Sequence, residues 1–206
     1  KKDNLRTAAL PLPAGIIEAG KIKDRSQLVS ALSNLHSQIT LKKKKRIYVI
    51  VGIPDVNIYT QVFNLPVLGS NKLEEAAHLN LQMISPIDFA EVYYDWQPVG
   101  ESKTDGHQTE ILGALAPKKI IDDFSNVLEE ANFGVAAIEF SALSLARLST
   151  VKTPYLLLHL ASDGLGLNII RNGNLYFNHF ESWATVVKEE GKISFSDFKD
   201  LVIKEV

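Results

Sequence analysis

Strand-like and helix-like segments alternate along nearly the whole chain, and this alternation restricts the fold more than any other feature of the sequence. Apolar residues recur at helical spacing in residues 24–39, 70–84 and 118–133, with short apolar or alternating segments between them. Such an order is typical of α/β proteins, in which helices cover sheets. The sequence therefore predicts an α/β (α+β) fold with mixed sheets, comprising a β-α-β-β-α-β unit up to about residue 100 and a second α/β part.

Two strand arrangements follow from the local sequence. The apolar segment 46–54 is predicted to be a buried strand, and the alternating segment 57–66 is predicted to pair with it as a hairpin across the residues PDV. Three further strands are predicted in meander order between residues 154 and 181, because the Asn-Gly pair at 172–173 is typical of a two-residue turn.

The predicted helices carry recognisable end signals. Asp24 and Ser70 are of the residue types that cap helix N-termini, and both are predicted caps. Gly134 is predicted to end the third helix, because glycine readily adopts the left-handed conformation found there. A last helix is predicted from Ser196 to the end of the sequence.

Charge and cysteine content exclude several classes of function. The net charge is −2 and the pI is about 6.2, which argues against a basic nucleic-acid surface. The sequence has no cysteine, so disulfides, thiol catalysis and Cys-ligated zinc are excluded. No apolar segment approaches the roughly 20 residues that a membrane-spanning helix needs.

No constellation of side chains predicts catalysis or a metal site. Adjacent glutamates at 74–75 and 129–130 do not face each other on a helix, so they do not form an acid/base pair. The serines lack the surroundings of a G-x-S-x-G nucleophile. The histidines lack the spacing of metal ligands; they are His36, His78, His107, His159 and His179.

The run LKKKKR at 41–46 is the densest cluster of charge. It could contact phosphates or an anionic membrane. We favour the simpler interpretation, a solvated connection whose lysines protect the apolar strand that follows, because no aromatic residues are interleaved.

The segment 159–173, HLASDGLGLNIIRNG, is the strongest candidate for a site. Two strands joined by a turn of small residues can direct backbone N–H groups at a phosphate. Such a loop normally also has an acid for a metal-bound water and a glycine where the backbone approaches the phosphate. Taken alone, such a segment is more often an ordinary β-hairpin with glycine for a tight turn.

The order and spacing of segments over most of the chain resemble the type IV pilus assembly protein M family (PilM). These proteins are relatives of the cell-division protein FtsA and share the actin/Hsp70-like ATPase fold. The likeness rests on LPAGIIEAGKIKD (12–24), YVIVGIPDVNIYTQVFNLP (48–66), the helix-Pro-strand segment 73–100, the strand-APK-helix segment 110–148, and LLLHLASDGLGLNIIRNGNLYF (156–177).

The last of these segments falls on the family's second phosphate loop but departs from its chemistry. His159 stands at the position of the family's acid and Ala161 at that of its glycine. The family's hydroxyl residues correspond to positions 163–166, which carry Asp, Gly, Leu and Gly here. The nucleotide-binding positions are thus degenerate and predicted not to bind; they are His159, Ala161, Ser162, Asp163 and Gly164. No cofactor is predicted. ATP with magnesium is expected only if the parent protein retains the family's first phosphate loop before residue 1.

The resemblance implies a piece of an actin-like fold in three parts. Residues 1–100 would form the inserted small β-α-β-β-α-β subdomain, 101–150 the remainder of the first actin-like subdomain, and 151–206 the start of the second.

The resemblance also implies a function. We expect a non-catalytic pseudo-ATPase scaffold, cytoplasmic and peripheral at the inner membrane, that binds a short peptide of a PilN-like single-pass membrane protein. Other pilus or secretion platform proteins are further expected partners, self-association stays open, and nucleic acid is not expected. The alternatives are an active actin-like ATPase of pilus assembly and the cytoplasmic domain of a type II secretion L-type protein.

Overall fold

The computed structural model describes residues 7–39, 46–101, 108–161, 164–183, 196, 198–200 and 203. Contacts within the chain divide it into two compact units, one made of residues 1–53 and 118–139 and the other of residues 54–117 and 140–206. Each unit is therefore assembled from two separate stretches of sequence. These breaks differ from the boundaries at residues 100 and 150, and the division into actin-like subdomains stays a prediction.

Strands and helices alternate as the sequence predicts. In chain order they are β1 (Ile17–Glu18), β2 (Lys21–Ile22), α1 (Arg25–Ile39), β3 (Ile47–Ile53), β4 (Tyr59–Pro66), α2 (Ser70–Ile84), β5 (Val92–Glu101), β6 (Gln108–Pro117), α3 (Lys118–Glu130), β7 (Phe133–Phe140), α4 (Ser141–Leu148), β8 (Tyr155–Leu160), β9 (Gly164–Arg171) and β10 (Asn174–Ser182). Short 3-10 turns occupy Asp55–Asn57 and Phe89–Glu91.

In the first unit, α1 and α3 pack together beside a sheet in which β3 pairs with β7. Leu128, Ala131 and Phe133 form a buried cluster against Val49 and neighbouring side chains of β3. The alternate residues of β3 point away from this cluster and are exposed. Apolar side chains of β3 therefore lie on both the covered and the exposed face of the strand.

The predicted hairpin between segments 46–54 and 57–66 is wrong. β3 pairs with β7, whereas β4 pairs antiparallel with β6. The intervening PDV does not form a tight reversal, because Asp55 begins a 3-10 turn and is buried. Its carboxylate Oδ1 accepts a hydrogen bond of 3.1 Å from the backbone N–H of Ala142, at the start of α4. A buried helix cap thus replaces the expected hairpin turn.

The helix ends differ in part from the prediction. Asp24 caps α1 as predicted, since its Oδ1 accepts from the backbone N–H of Gln27 at 2.9 Å. The cap of α2 is Gly69, with no side-chain hydrogen bond, rather than Ser70. α3 ends at Glu130, Asn132 just beyond it adopts a φ of 66°, and Gly134 lies inside β7. Asparagine is the residue that most often replaces glycine in this left-handed position after a helix, so Asn132 takes the place predicted for Gly134.

In the second unit, β6 is the central strand of a sheet with the order β4-β6-β5. Helix α2 covers one face of this sheet, where Leu81 packs against Val92 and Leu115. The helix approaches very closely at Gly113, because a Cβ there would lie 2.4 Å from a methyl carbon of Leu81.

The meander of β8, β9 and β10 is confirmed, with β9 in the centre and both pairings antiparallel. Asn172 and Gly173 form the turn with φ values of 54° and 77°. One face of this sheet carries several exposed apolar side chains, at Leu156, Leu158, Leu160, Ile169 and Phe177.

Among the described residues, no helix is both long and apolar enough to cross a membrane. The polar segment 101–108, which the sequence predicts to be a hairpin tip or a short linker, lies mostly outside the described residues. The same holds for most of the predicted C-terminal helix, although Ser196 and Phe198 are helical.

Candidate functional site

The turn between β8 and β9 holds the candidate phosphate-loop positions. The register pairs His159 with Gly166 and Leu160 with Leu165. The backbone N–H of Ala161 donates to the carbonyl of Gly164 at 2.9 Å and so closes the turn. Ser162 and Asp163, at the tip, lie outside the described residues.

Both backbone polar groups of Ala161 bond within the chain. Besides the N–H bond to Gly164, the Ala161 carbonyl accepts a hydrogen bond of 3.0 Å from the indole Nε1 of Trp183. The indole therefore ties the start of the turn to the residue that follows β10. The Ala161 amide proton is directed at Gly164, so it is already engaged and does not point at a ligand.

Gly164 is required by the neighbouring strand. A Cβ at this position would lie 2.4 Å from the carbonyl oxygen of Glu181 and 2.4 Å from the ring of Phe180, both on β10. Real side chains do not tolerate such distances to backbone atoms, so only glycine fits. At Gly166 the nearest atom to a Cβ would be 3.4 Å away, which is close to ordinary contact.

His159 lies half-buried on the sheet face that also carries Gly166 and Asn168. Its Nδ1 is buried and has no hydrogen-bond partner among the described residues. Asn168 is fully buried; its Oδ1 accepts from Asn178 at 2.8 Å, and its Nδ2 has no partner among the described residues. The environment of His159 is therefore a polar strip built from amides and an imidazole.

The other histidines occupy unrelated positions. His36 is buried on α1, with its ring edge against Phe133 at 5.1 Å. His78 on α2 shares a hydrogen bond of 2.8 Å with the hydroxyl of Tyr94. His179 Nε2 lies 3.7 Å from a carboxylate oxygen of Glu181, and His107 is outside the described residues. In the part of the chain that the structure describes, no three His, Asp or Glu side chains could together hold a metal ion.

The glutamate pairs on the helices are surface groups. Glu130 forms an ion pair with Arg25, and Glu129 lies 3.3 Å from Arg46. Their carboxylates are about half exposed, so these ion pairs add little stability.

Sequence reasoning missed a polar cluster between β6 and β10. The carboxylate of Glu110 accepts from the hydroxyl of Tyr176 and lies 3.9 Å from the guanidinium of Arg171. Burial and the Glu110 carboxylate raise the pKa of Tyr176 to about 12. Glu110 is far from Arg171 and Tyr176 in sequence, and only the contact between the β4-β6-β5 and β8-β9-β10 sheets brings the three side chains together.

Known proteins identify the family. A family model described as type IV pilus assembly protein PilM matches residues 4–171. Among curated proteins, none matches the sequence significantly. A chain of the PilM-PilN type IV pilus biogenesis complex matches the structure with a TM-score of 0.70 at 16% identity, over 96% of this chain and 57% of that one.

A second solved relative is the cytoplasmic domain of EpsL, an inner membrane component of the type II secretion system of Vibrio cholerae. It matches with a TM-score of 0.53 at 14% identity, over 75% of this chain and 56% of that one. The chain therefore spans less than two thirds of the length of either relative. At these sequence identities the two matches show a shared fold and nothing more. The predicted fold class is confirmed. With most of its length matched by the family model, the chain belongs to the PilM family of type IV pilus assembly proteins.

Proposed function

We propose that this chain acts as a non-catalytic cytoplasmic scaffold of a type IV pilus assembly platform, peripheral at the inner membrane. The observation that carries the proposal is the turn between β8 and β9, where the family's second phosphate loop would lie. The amide of Ala161 bonds to Gly164, and the space beside Gly164 is filled by β10.

The residues at this turn do not fit a magnesium-bound nucleotide. Magnesium prefers oxygen ligands and the waters that carboxylates hold, whereas His159 offers only imidazole nitrogens. A phosphate needs free backbone N–H groups, whereas the Ala161 N–H donates within the turn. At the described positions, His159 provides no carboxylate and Ala161 no free N–H for such a ligand, and we infer a pseudo-ATPase.

The proposed partner is a short cytoplasmic peptide of a PilN-like single-pass membrane protein. Membership of the PilM family and the fold shared with a chain of the PilM-PilN complex support this assignment. Capture of a peptide needs free strand edges and apolar pockets rather than titrating side chains. Contacts with other platform proteins belong to the same proposal, and self-association stays open.

Two calorimetric titrations of the full-length protein test the two halves of the proposal. Titration with ATP and magnesium should give no binding at micromolar concentrations, with the same titration in EDTA as control. Micromolar affinity would favour the alternative of an active actin-like ATPase. Titration with the synthetic N-terminal peptide of the PilN-like protein from the same genome should give saturable binding, and a scrambled peptide should give none.

A second candidate is the cytoplasmic domain of a type II secretion L-type protein. The fold similarity to the EpsL domain favours it, although the TM-score is lower than for the pilus complex. Pull-downs from cell extract distinguish the two candidates: recovery of a secretion ATPase would favour the L-type function, and recovery of pilus platform proteins would favour the PilM function.

A further inference from the structure

A small open cleft lies in the second unit, on the face of the β4-β6-β5 sheet that α2 does not cover. Its volume is about 120 Å³. Strand β5 contributes Asp95, Trp96 and Gln97, β6 contributes Leu112 and Ala114, and α4 contributes Leu143. Ligand sites for drug-sized molecules measure about 300–1,000 Å³. The cleft is therefore too small for a nucleotide and suits a single side chain.

The strand register explains its composition. Asp95 is paired with Ala114 and Gln97 with Leu112, so each polar side chain stands beside an apolar one on the same face. Leu112 is buried, whereas Asp95 and Gln97 are exposed. The cleft thus has an aliphatic floor and a polar rim.

The carboxylate of Asp95 lacks a counter-ion in the described part of the chain. One of its oxygens accepts a hydrogen bond of 2.8 Å from the backbone N–H of Trp96, the next residue. No described Lys, Arg or His forms an ion pair with it, unlike Glu110, which pairs with Arg171 on the neighbouring strand of the same unit. An unpaired carboxylate above an aliphatic floor is complementary to a cation on an aliphatic stem.

We propose that this cleft receives a lysine or arginine side chain of the bound partner peptide, an inference that rests on the peptide-binding function proposed above. The methylene stem packs on Leu112, Ala114 and Leu143, and the cationic head binds the Asp95 carboxylate and the side-chain oxygen of Gln97. Charge-assisted hydrogen bonds of this type are stronger than neutral ones. An acidic side chain is excluded because it would meet Asp95 at close range.

The cleft itself can be tested by NMR on the ¹⁵N-labelled protein, with N-acetyl-arginine methylamide as the probe and N-acetyl-norleucine methylamide as the uncharged counterpart. We expect the arginine probe to shift the amides of Asp95, Gln97, Leu112, Ala114 and Leu143, and the norleucine probe to bind more weakly. Asp95→Asn should weaken the arginine probe about three- to tenfold. Glu75→Gln, on the exposed side of α2, removes the same charge elsewhere and should change nothing. Shifts scattered over the surface, or equal affinity in Asp95→Asn and wild type, would overturn the inference.

Titration of the PilN-like peptide into Asp95→Asn separates this inference from the function on which it rests. If the peptide binds Asp95→Asn more weakly than it binds the wild type and Glu75→Gln, the cleft is supported as the binding site of the peptide's cationic side chain. Unchanged affinity of Asp95→Asn for the peptide overturns the inference about the cleft but leaves the proposed peptide-binding function intact. Failure of the peptide to bind the wild type overturns both.

Discussion

The phenol hydroxyl of Tyr176 donates a hydrogen bond to the carboxylate of Glu110, and this bond joins β10 to β6 within the second unit. The guanidinium of Arg171 lies 4.7 Å from the centre of the Tyr176 ring. Gly100 makes room for the contact, since a Cβ there would lie 3.0 Å from Glu110 Oε2. Two sheets of the unit are thus connected by a partly buried hydrogen bond to a charged group.

We expect Tyr176→Phe to lower the free energy of unfolding by about 1.5–3 kcal/mol, because a hydrogen bond to a charged group is lost while the ring remains. Urea unfolding followed by circular dichroism measures the change. Tyr59→Phe, at a largely exposed tyrosine of β4, is the matched control and should stay within about 0.5 kcal/mol of the wild type. A Tyr176→Phe variant as stable as this control would show that the bond contributes nothing.

The same hydrogen bond makes stability depend on alkaline pH. The pKa of Tyr176 is about 12 in the folded protein and near 10.0 in the unfolded chain. Between these values the folded state keeps a proton that the unfolded state has lost, so its contribution is complete below about pH 10 and declines as the pH rises toward 12. The stability difference between wild type and Tyr176→Phe should therefore shrink from about pH 9 to about pH 11 in urea titrations. A difference that stays constant over this range would contradict the raised pKa.

Gly164→Ala should be strongly destabilising, because the new methyl group would overlap the Glu181 carbonyl and the Phe180 ring on β10. Overpacking of this kind costs about 1–3 kcal/mol, and the upper end is expected where backbone must move. Gly52→Ala on β3 is the control, since no atom lies within 4 Å of a Cβ built there. Thermal unfolding compares the two, and equal melting temperatures would refute the close approach of β10.

Asp24→Ala should lower the melting temperature at neutral pH, whereas Asp24→Asn should preserve it, because asparagine caps a helix as well as aspartate does. The pKa of Asp24 is lowered, first by the backbone N–H of Gln27 and then by the side chains of Ser26 and Gln27. The stabilisation is therefore complete above the ordinary value of 3.8 and is lost as the pH falls through the lower folded value.

Melting curves between about pH 2 and pH 6 should show this acid dependence in the wild type. The Asp24→Asn variant should show a weaker dependence. Parallel curves for the two proteins would mean that Asp24 does not titrate differently on folding.

Local signals in the sequence predicted the local structure well. Helix α2 has the predicted bounds, 70–84, because its apolar spacing and the following proline are both short-range features. The Asn172–Gly173 turn follows from the conformational preference of two residues. The predicted pairing of β3 with β4 was wrong. The actual partner, β7, begins only at Phe133, and nothing in the sequence of β3 favours β7 over β4 as a partner.

The candidate site was predicted in outline but not in its contacts. The turn after His159 lies between two strands, as expected. Two contacts of the turn could not be predicted from the sequence: the close approach of Phe180 to Gly164, and the hydrogen bond from Trp183 to Ala161. Both join residues that belong to different strands or loops. The cleft beside Asp95 could not be predicted for the same reason, since its lining includes Leu143, which is some fifty residues further along the chain than Asp95.

The pairing of β3 with β7 has a consequence during protein synthesis. β3 ends at Ile53 and β7 at Phe140, so a ribosome adding about 5–20 residues per second completes the partner strand roughly 4–17 seconds later. For that interval the nascent chain presents IYVIVGI, a segment with the composition of an aggregation-prone strand. The four lysines and the arginine at 42–46 directly precede it and suit the role of gatekeepers, which delay intermolecular pairing until the native partner has emerged.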